Sequence, residues 1–238
     1  MNPGITKNTN FQEGAILLID KPYGWTSFNV VSKIKYLVRR ATGVKNIKVG
    51  HAGTLDPLAT GLLVICIGRA TKLVESFIKD DKEYVATFHL GQTTPSFDME
   101  TQMNQDFPID HITLKMVEEV VAGFLGEQNQ IPPLYSAKSI NGKRAYKFAR
   151  QGSDMELEPV KIHFHELEIV KFEQPKLTLR IKCSKGTYIR SLARDLGKAM
   201  QSGAYLCDLV RIGSGSFKLT DAQKLEDIEL FFKTDVTN

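Results

Sequence analysis

The stretch Gly50–Ile67, GHAGTLDPLATGLLVICI, joins a glycine- and proline-interrupted segment to six consecutive apolar residues. The first part, Gly50–Gly61, is typical of neither a regular helix nor a central strand, because its glycines weaken both and Pro57 has no N–H to donate. The second part, Leu62–Ile67, is apolar at every position, as in a strand buried on both faces. We therefore expect a loop that displays Asp56 and is anchored by a core strand.

Strand and helix patterns are interleaved along the rest of the chain without a regular spacing. Their irregular order predicts an α+β fold on a mixed sheet. The first predicted helix begins at Thr26 or Ser27, either of which can cap it. Its predicted apolar face consists of Phe28, Val31, Ile34, Leu37 and Val38. The other predicted elements are strands at 14–20, 84–90 and 206–212, helices at 114–125 and 189–200, and a hairpin of strands 160–172 and 177–183.

Composition places the chain among ordinary globular proteins, with 238 residues, 42% hydrophobic and 24% charged. No apolar run is long enough to cross a bilayer, and the polar first residues lack a signal-peptide pattern, so we expect a cytoplasmic protein. Three distant cysteines (Cys66, Cys183 and Cys207) favour buried packing over a disulfide framework or a metal site. His163 and His165 share one strand face, but without nearby carboxylates or thiols they make a poor metal site.

The formal net charge is +4, and basic residues cluster in Lys33–Lys48, Lys138–Arg150 and Lys182–Arg194. If these clusters share a face, that face suits a phosphate backbone, whereas separate clusters are simply solvated surfaces. In the second cluster, Tyr146 and Phe148 are interleaved with lysines and arginines. Such mixing suits RNA, although a helix with both rings partly in the core explains it equally well.

Two local patterns have both a chemical and a structural interpretation. Asp56 precedes Pro57 in the glycine-rich loop, where it can act as a nucleophile or base, or merely cap a turn. In KGTYIRSLARDLG, Arg190 and Arg194 lie one helical turn apart on one face. Either arginine can hold a carboxylate or phosphate at two points, or form a surface ion pair with Asp195.

Six stretches, taken in chain order from about Gly14 to Phe217, resemble the bacterial tRNA pseudouridine synthase B family, which acts on the T-loop of tRNA. Six ordered matches are far more specific than a glycine-rich loop alone, and they favour the catalytic interpretation of Asp56. The matching stretches are DKPYGWTS (Asp20–Ser27), VGHAGTLDPLATGLL (Val49–Leu63), KEYVATFHLGQTTPSFD (Lys82–Asp98), QIPPLYSAKSINGKRAYKFARQG (Gln130–Gly152), CSKGTYIRSLARDLG (Cys183–Gly197) and LVRIGSGSF (Leu209–Phe217).

The resemblance implies a pseudouridine synthase fold, a mixed and largely antiparallel sheet with helices and an RNA-gripping insertion around a central cleft. It implies isomerisation of the tRNA uridine at position 55 by a monomer, with the T-arm stem-loop as partner, without membrane, metal or cofactor. By motif, Asp56 matches the nucleophile, Tyr84 the tyrosine against the target base, and Arg190 the arginine that pairs with the catalytic carboxylate. The remaining substrate-binding matches are His51, Tyr188, Leu209, Lys21 and Asp98.

The expected organisation is a flexible tail at 1–13 and a catalytic domain at 14–238, with the RNA-gripping insertion at about 128–155. Two features depart from the family pattern. We expect no C-terminal RNA-binding module of the pseudouridine-synthase-and-archaeosine type, and PSFD (Pro95–Asp98) replaces the more usual DTxD wording. Two alternatives stay open: a non-catalytic tRNA-binding or tRNA-folding protein on the same scaffold, and a small-molecule enzyme, which would show no salt-dependent RNA binding.

Overall fold

The computed structural model of the protein describes residues 5–6, 8–136, 139–140, 143–149, 151, 155 and 157–234. The strands are β1 (Ala15–Lys21), β2 (Val49–His51), β3 (Thr60–Ile67), β4 (Lys82–Leu90), β5 (Gln92–Thr93), β6 (Gln105–Asp106), β7 (Gly126–Gln130), β8 (Ser139–Ile140), β9 (Lys143–Arg144), β10 (Val160–Glu173), β11 (Lys176–Cys183), β12 (Ala204–Ser214), β13 (Phe217–Lys218) and β14 (Gln223–Lys224). The α-helices are α1 (Ser27–Thr42), α2 (Val74–Lys79), α3 (Leu114–Gly123), α4 (Ala145–Ala149), α5 (Ile189–Ala199) and α6 (Leu225–Thr234), and 3₁₀ turns occupy Gly68–Leu73 and Leu219–Asp221.

The chain divides into two compact units, and β4 and β12 each contribute residues to both. The first unit is Met1–Tyr84 with Leu209–Asn238, and the second is Val85–Asp208. In the first unit the strand order is β14-β1-β3-β12, with parallel pairs at β14–β1 and β3–β12 and an antiparallel pair between β1 and β3. In the second unit the order is β4-β11-β10-β7, and β10 pairs antiparallel with both β11 and β7. The expected α+β class with a mixed, largely antiparallel sheet is confirmed.

The central strands of the first unit are buried on both faces, as their unbroken apolar runs predict. One face of β1 and β3 presents Leu17, Ile19 and Ile65 to a core that includes α1 and α6. The opposite face presents Ile16 and Leu18 to a second cluster that includes Ala70. Phe11 lies within the stretch expected as a loose tail, and it is 4% exposed and packed against Phe232. The strand that anchors the Asp56 loop is therefore held from both sides.

Helix α1 has the predicted start but a different apolar face. Thr26 caps it, since its side chain accepts a hydrogen bond from the backbone N–H of Asn29. Val30 and Ile34 are fully buried, and Leu37 and Val38 continue the same stripe. The placement of Phe28 on that face was wrong: the phenyl ring is 73% exposed. The buried stripe starts at position 30 and follows i, i+4, i+7, i+8, which turns position 28 to the outside.

The second unit contains the long predicted hairpin and two flanking helices. β10 and β11 pair from Phe164–Cys183 to Glu173–Lys176, which confirms the predicted hairpin. α5 also confirms its prediction, with Ile189, Leu192 and Leu196 among its buried residues. α3 is shorter than predicted, because the chain tightens into i→i−3 bonds after Gly123, from Phe124 N–H to Val121 O and from Leu125 N–H to Ala122 O. Of the helices in the described ranges, none has both the length and the apolar character needed to cross a membrane.

Candidate functional site

In the first unit, the backbone of the loop that displays Asp56 is held by hydrogen bonds to Ser27, at the start of α1, and to Gly24, just before it. Leu55 donates its N–H to Ser27 Oγ at 2.9 Å, and Ser27 Oγ donates to Leu55 O at 3.1 Å. Pro57 O accepts a bond from the Gly24 N–H at 2.8 Å. The residues on both sides of Asp56 are therefore fixed, which is the condition for a preorganised side chain. Asp56 itself is half-buried.

Lys21 braces the same loop from the end of β1. It is 0% exposed, and its ammonium donates to Trp25 O at 2.6 Å, Pro22 O at 3.0 Å and Pro57 O at 3.4 Å. Burial lowers the pKa of Lys21 to about 8; the Asp56 carboxylate acts in the opposite direction, and Arg211 adds to the lowering. The ammonium of Lys21 is thus a buried cation beside Asp56, held by main-chain carbonyls.

Arg211 supports the loop from the opposite end of the sequence. Its guanidinium is buried, and it donates from Nε to Leu62 O at 2.7 Å and from a terminal nitrogen to Gly53 O at 3.1 Å. β12 and β3 pair there, and a Cβ at Gly61 would lie 2.4 Å from Arg211 O. A residue with a side chain at Gly61 would therefore push the strands apart.

The other predicted residues of the first unit lie on the strands around this loop. His51 ends β2 and pairs with Ile65 of β3, and burial first, then Arg211, lower the pKa of its imidazole. Tyr84 on β4 and Leu209 on β12 are each 8% exposed. One loop therefore joins Asp56 to Lys21, which binds Pro57 O, and to Arg211, which binds Gly53 O and acts electrostatically on His51.

In the second unit, Arg190 and Asp98 form a buried ion pair. Arg190 Nε lies 3.5 Å from Asp98 Oδ2, with the two side chains 5% and 6% exposed, and a terminal guanidinium nitrogen donates to Ser96 O at 3.4 Å. The Asp98 carboxylate also accepts bonds from Ser96 Oγ at 2.6 Å and Glu100 N–H at 2.9 Å. A carboxylate with this many donors is held in one orientation, and it holds the arginine in turn.

The unusual PSFD motif (Pro95–Asp98) forms an ordered turn around Asp98. Ser96 is fully buried and pairs its hydroxyl with both Asp98 and Thr101 Oγ1. Phe97 has a left-handed φ of 62°, and its carbonyl accepts a hydrogen bond from the Leu206 N–H. The centre of its ring lies 5.2 Å from the guanidinium carbon of Arg194. Ser96, which differs from the usual DTxD motif, therefore supplies a hydrogen bond that holds Asp98.

Tyr188 lies at the first residue before α5, where the buried Gln130 side chain accepts its N–H at 2.8 Å. Ser191 Oγ and an Arg194 nitrogen both donate to Ile131 O, at 2.8 and 3.2 Å. The start of the expected insertion is thus tied to α5. Of that insertion, residues 137–138, 141–142, 150 and 152–154 lie outside the described residues. Tyr146 and Phe148 lie in α4, and both are half-buried.

The weaker candidates of the sequence have structural explanations. His163 and His165 are exposed on one face of β10, with ring centroids 4.6 Å apart. Cys66 and Cys183 are buried, as predicted, and burial raises the pKa of the Cys66 thiol to about 11. Cys207 is half-buried and donates to Thr87 O. Across the described ranges, no three His, Cys, Asp or Glu side chains are grouped to hold a metal ion.

The structure therefore gathers the predicted residues into two clusters, one in each unit. Lys21, His51 and Asp56 belong to the first, and Arg190 and Asp98 to the second. Sequence reasoning missed Arg211, Ser27 and Ser96 as supporting residues. Arg211 stands in the recognised stretch LVRIGSGSF, but its role depends on a bond to Gly53, 158 residues away, for which the sequence has no signal.

Comparison with known proteins identifies the family. Residues 39–189 match the family model described as TruB family pseudouridylate synthase (N terminal domain). A tRNA pseudouridine synthase B of Phocaeicola vulgatus is 52% identical over 217 residues, covering 91% of this chain and 92% of the relative. One of Flavobacterium johnsoniae is 49% identical, covering 93% and 96%, and one of Francisella philomiragia is 43% identical, covering 94% of this chain and 72% of the relative.

Two solved structures contain chains with a similar fold. The crystal structure of a Cbf5-Nop10-Gar1 complex contains a chain with a TM-score of 0.73 and 28% identity; the match covers 98% of this chain and 60% of that chain. A structure of an H/ACA RNP bound to a substrate RNA containing 2'-deoxyuridine gives a TM-score of 0.68 at 27% identity, covering 96% of this chain and 57% of that chain. With relatives at about half identity over nine-tenths of its length, the chain belongs to the tRNA pseudouridine synthase B family.

Proposed function

We propose that this chain isomerises a uridine of tRNA to pseudouridine, that its target is the T-loop uridine at position 55, and that Asp56 is the nucleophile. Family membership supports the reaction and the substrate class. The observation that most favours Asp56 is the bracing of its loop by two buried cations, Lys21 at Pro57 O and Arg211 at Gly53 O. A half-exposed carboxylate on a loop fixed at both ends is suited to attack a bound nucleoside.

The reaction breaks the bond between C1′ of the ribose and N1 of uracil, rotates the base, and joins C1′ to C5. The proton displaced from C5 returns to N1, so all atoms and electrons of the uridine are retained. The chemistry therefore requires a nucleophile or base and a way to hold the detached ring, and it requires no oxidant or reductant. A carboxylate meets the first need whether it adds to the sugar, adds to the base, or assists a glycal route.

The other residues are assigned by their motif positions, and their surroundings in the structure support defined roles. Tyr84 is proposed to lie against the target base, which must leave its stack to reach the carboxylate, and to accept a proton there. Arg190 is assigned the pairing with the catalytic carboxylate, and Asp98 keeps the guanidinium in place. Lys21 is proposed to act on the substrate through the loop that it holds. The remaining substrate-binding assignments are His51, Tyr188 and Leu209.

The test is single-turnover pseudouridine formation on a T-arm stem-loop RNA by the wild type, Asp56→Asn and the exposed control Asp221→Asn. We expect product from the wild type and the control, and tight binding without product from Asp56→Asn. Product from Asp56→Asn at the wild-type rate would remove Asp56 from the mechanism. Tight binding without product from the wild type would instead favour the tRNA-folding alternative.

The target position is tested on the same RNA with cytidine in place of the uridine at position 55. We expect the wild type to bind this RNA and to form no pseudouridine, since the proposal confines the reaction to position 55. Pseudouridine at another position of the substituted RNA would overturn the assignment of uridine 55 while leaving the reaction class intact.

A further inference from the structure

The first unit has a concave basic surface at the C-terminal half of α1 and the chain that leads into β2. One recess of about 640 Å³ is lined by Lys35, Arg39, Lys45 and Lys48. A second recess of about 580 Å³ shares the first three of these and adds Arg40 and Tyr36. We call this surface, made of Lys35, Tyr36, Arg39, Arg40, Lys45 and Lys48, the α1 recess. Among the residues that the structure describes, no aspartate or glutamate lines either cavity.

The cations of the α1 recess are not neutralised within the part of the chain that the structure describes. Lys33, two residues before Lys35 on α1, shows the contrast, because its ammonium lies 2.8 Å from Glu229 Oε1. None of the five recess cations has a described carboxylate within 4.0 Å. All five are exposed. Five like charges on one concave surface repel one another, and a bound polyanion relieves that repulsion.

Helix capping does not explain this charge. Gly43 N–H already binds Arg39 O at 2.9 Å, and Thr42 Oγ1 binds Val38 O at 2.8 Å, so these last carbonyls of α1 have partners. The helix dipole favours cations in the final turn, which accounts for Arg39 and Arg40. It does not account for Lys35, a turn earlier, or for the lysines that follow the helix.

Exposed aromatic rings lie on the same side of α1. Phe28 is 73% and Tyr36 is 56% exposed. They are eight residues apart on α1, so at about 100° per residue their directions differ by about 80° around the helix axis. The stripe continues through Arg39 and Arg40 to the recess. Cations for phosphates beside rings on which bases can stack are the combination that proteins use to bind RNA, whereas an acidic protein needs the cations alone.

We propose that the α1 recess and the exposed stripe of Phe28 and Tyr36 form a docking surface for the phosphate backbone of tRNA, in addition to the contacts at the Asp56 loop. The identity of the polyanion as tRNA rests on the proposed function. The surface lies outside the residues assigned to the reaction, so it contributes affinity rather than chemistry.

The test measures equilibrium binding of full-length tRNA across a series of salt concentrations, in an Asp56→Asn background so that no turnover occurs. The test variant adds Arg39→Gln, Arg40→Gln and Lys45→Gln. The matched control adds Lys115→Gln, Lys161→Gln and Lys171→Gln, whose side chains are 84%, 76% and 61% exposed and which remove the same charge. We expect the test variant to bind about tenfold or more weakly near 0.1 M salt, with a log–log salt slope smaller by about 2 to 3.

Equal slopes and affinities for the test and control variants would overturn the proposal. An acidic polypeptide that binds the parent protein but not the test variant, with tRNA binding unchanged, would overturn it in favour of a protein partner. If the triple variant does not fold, the single changes Arg39→Gln and Lys45→Gln decide the matter, each with an expected slope change of about 1. Because this test reads binding and the Asp56 test reads product, either proposal can fail without the other.

Discussion

The Arg190 guanidinium lies 3.5 Å from the Asp98 carboxylate, and both side chains are almost completely removed from solvent. Asp98 is in turn held by the Ser96 hydroxyl and the Glu100 N–H. The arginine that the family resemblance assigns to the catalytic carboxylate therefore has an acidic partner, Asp98, within its own unit. A buried guanidinium fixed in this way has one orientation in which to act, because moving it would leave a buried charge without its partner.

Asp98→Asn is expected to destabilise the protein by about 3 kcal/mol, since it removes the buried carboxylate that lies 3.5 Å from Arg190 Nε. Urea unfolding of the variant against wild type measures this. The control is Asp106→Asn, because Asp106 is exposed on β6 and accepts a bond from the Gln92 side chain. We expect the control to change the free energy of unfolding by less than about 0.5 kcal/mol. Equal losses from the two variants would mean that the Arg190–Asp98 pair contributes no more than a surface contact.

Arg190→Lys should fold but lose most of its turnover, by about 10²-fold or more, because an ammonium cannot make the planar two-point contacts of a guanidinium. The side chain here reaches both Asp98 and Ser96 O, and lysine can satisfy one of them. Single-turnover rates at saturating RNA measure the loss. Arg180→Lys on the exposed side of β11 is the matched control. An unchanged rate in Arg190→Lys would remove this arginine from the proposed mechanism.

Local patterns account for the parts of the fold that were predicted correctly. β1, β3, the β10–β11 hairpin and α5 each follow a continuous apolar run or a clear periodicity, which depends on neighbours in sequence. The misplaced Phe28 shows the limit of this reasoning, because an apolar residue next to a buried stripe fits the pattern whether it faces inward or outward. Burial is decided by what packs against the helix, and the sequence alone does not specify that.

The supporting residues of the candidate site were not predictable for the same reason. Asp56 was predicted from its loop and its motif, whereas Arg211 donates to a carbonyl 158 residues away. The sequence shows that Ser96 departs from the usual motif, but only the folded turn shows its buried hydrogen bond to Asp98. Hydrogen bonds to main-chain carbonyls leave no pattern in the sequence, since every residue has a carbonyl to offer.

The lowered pKa of Lys21 predicts how stability changes with pH. Between about 8 and the ordinary 10.5, Lys21 is neutral in the folded protein and protonated in the unfolded chain. The unfolded state therefore binds more protons in this window, so the contribution of Lys21 to stability rises from pH 8 to pH 10.5 and is lost as pH falls through 8. Urea unfolding across this range should show wild type gaining stability relative to Lys21→Met. A constant difference, equal to that of the exposed control Lys224→Met, would contradict the lowered pKa.

Arg211→Lys tests whether the Asp56 loop is positioned from β12. Lysine can reach one of the two carbonyls that Arg211 now binds, so either Leu62 O or Gly53 O is left without its donor, at a cost of about 1–3 kcal/mol. Because Gly53 O lies in the loop, we expect the single-turnover rate at saturating RNA to fall by about tenfold or more, with tRNA affinity little changed. The matched control is Arg69→Lys, whose side chain is 69% exposed.

The division between rate and affinity separates positioning from a structural role alone. A general loss of folded protein lowers the amount of product formed but leaves the rate constant of the remaining folded molecules unchanged, whereas a displaced loop lowers that rate constant itself. We therefore expect the rate constant of folded Arg211→Lys to fall, and His51, which Arg211 also influences, to show a pKa closer to its ordinary value by NMR titration, since lysine places its charge elsewhere. An unchanged rate constant with reduced stability would make Arg211 a structural residue of the β3–β12 pair and nothing more.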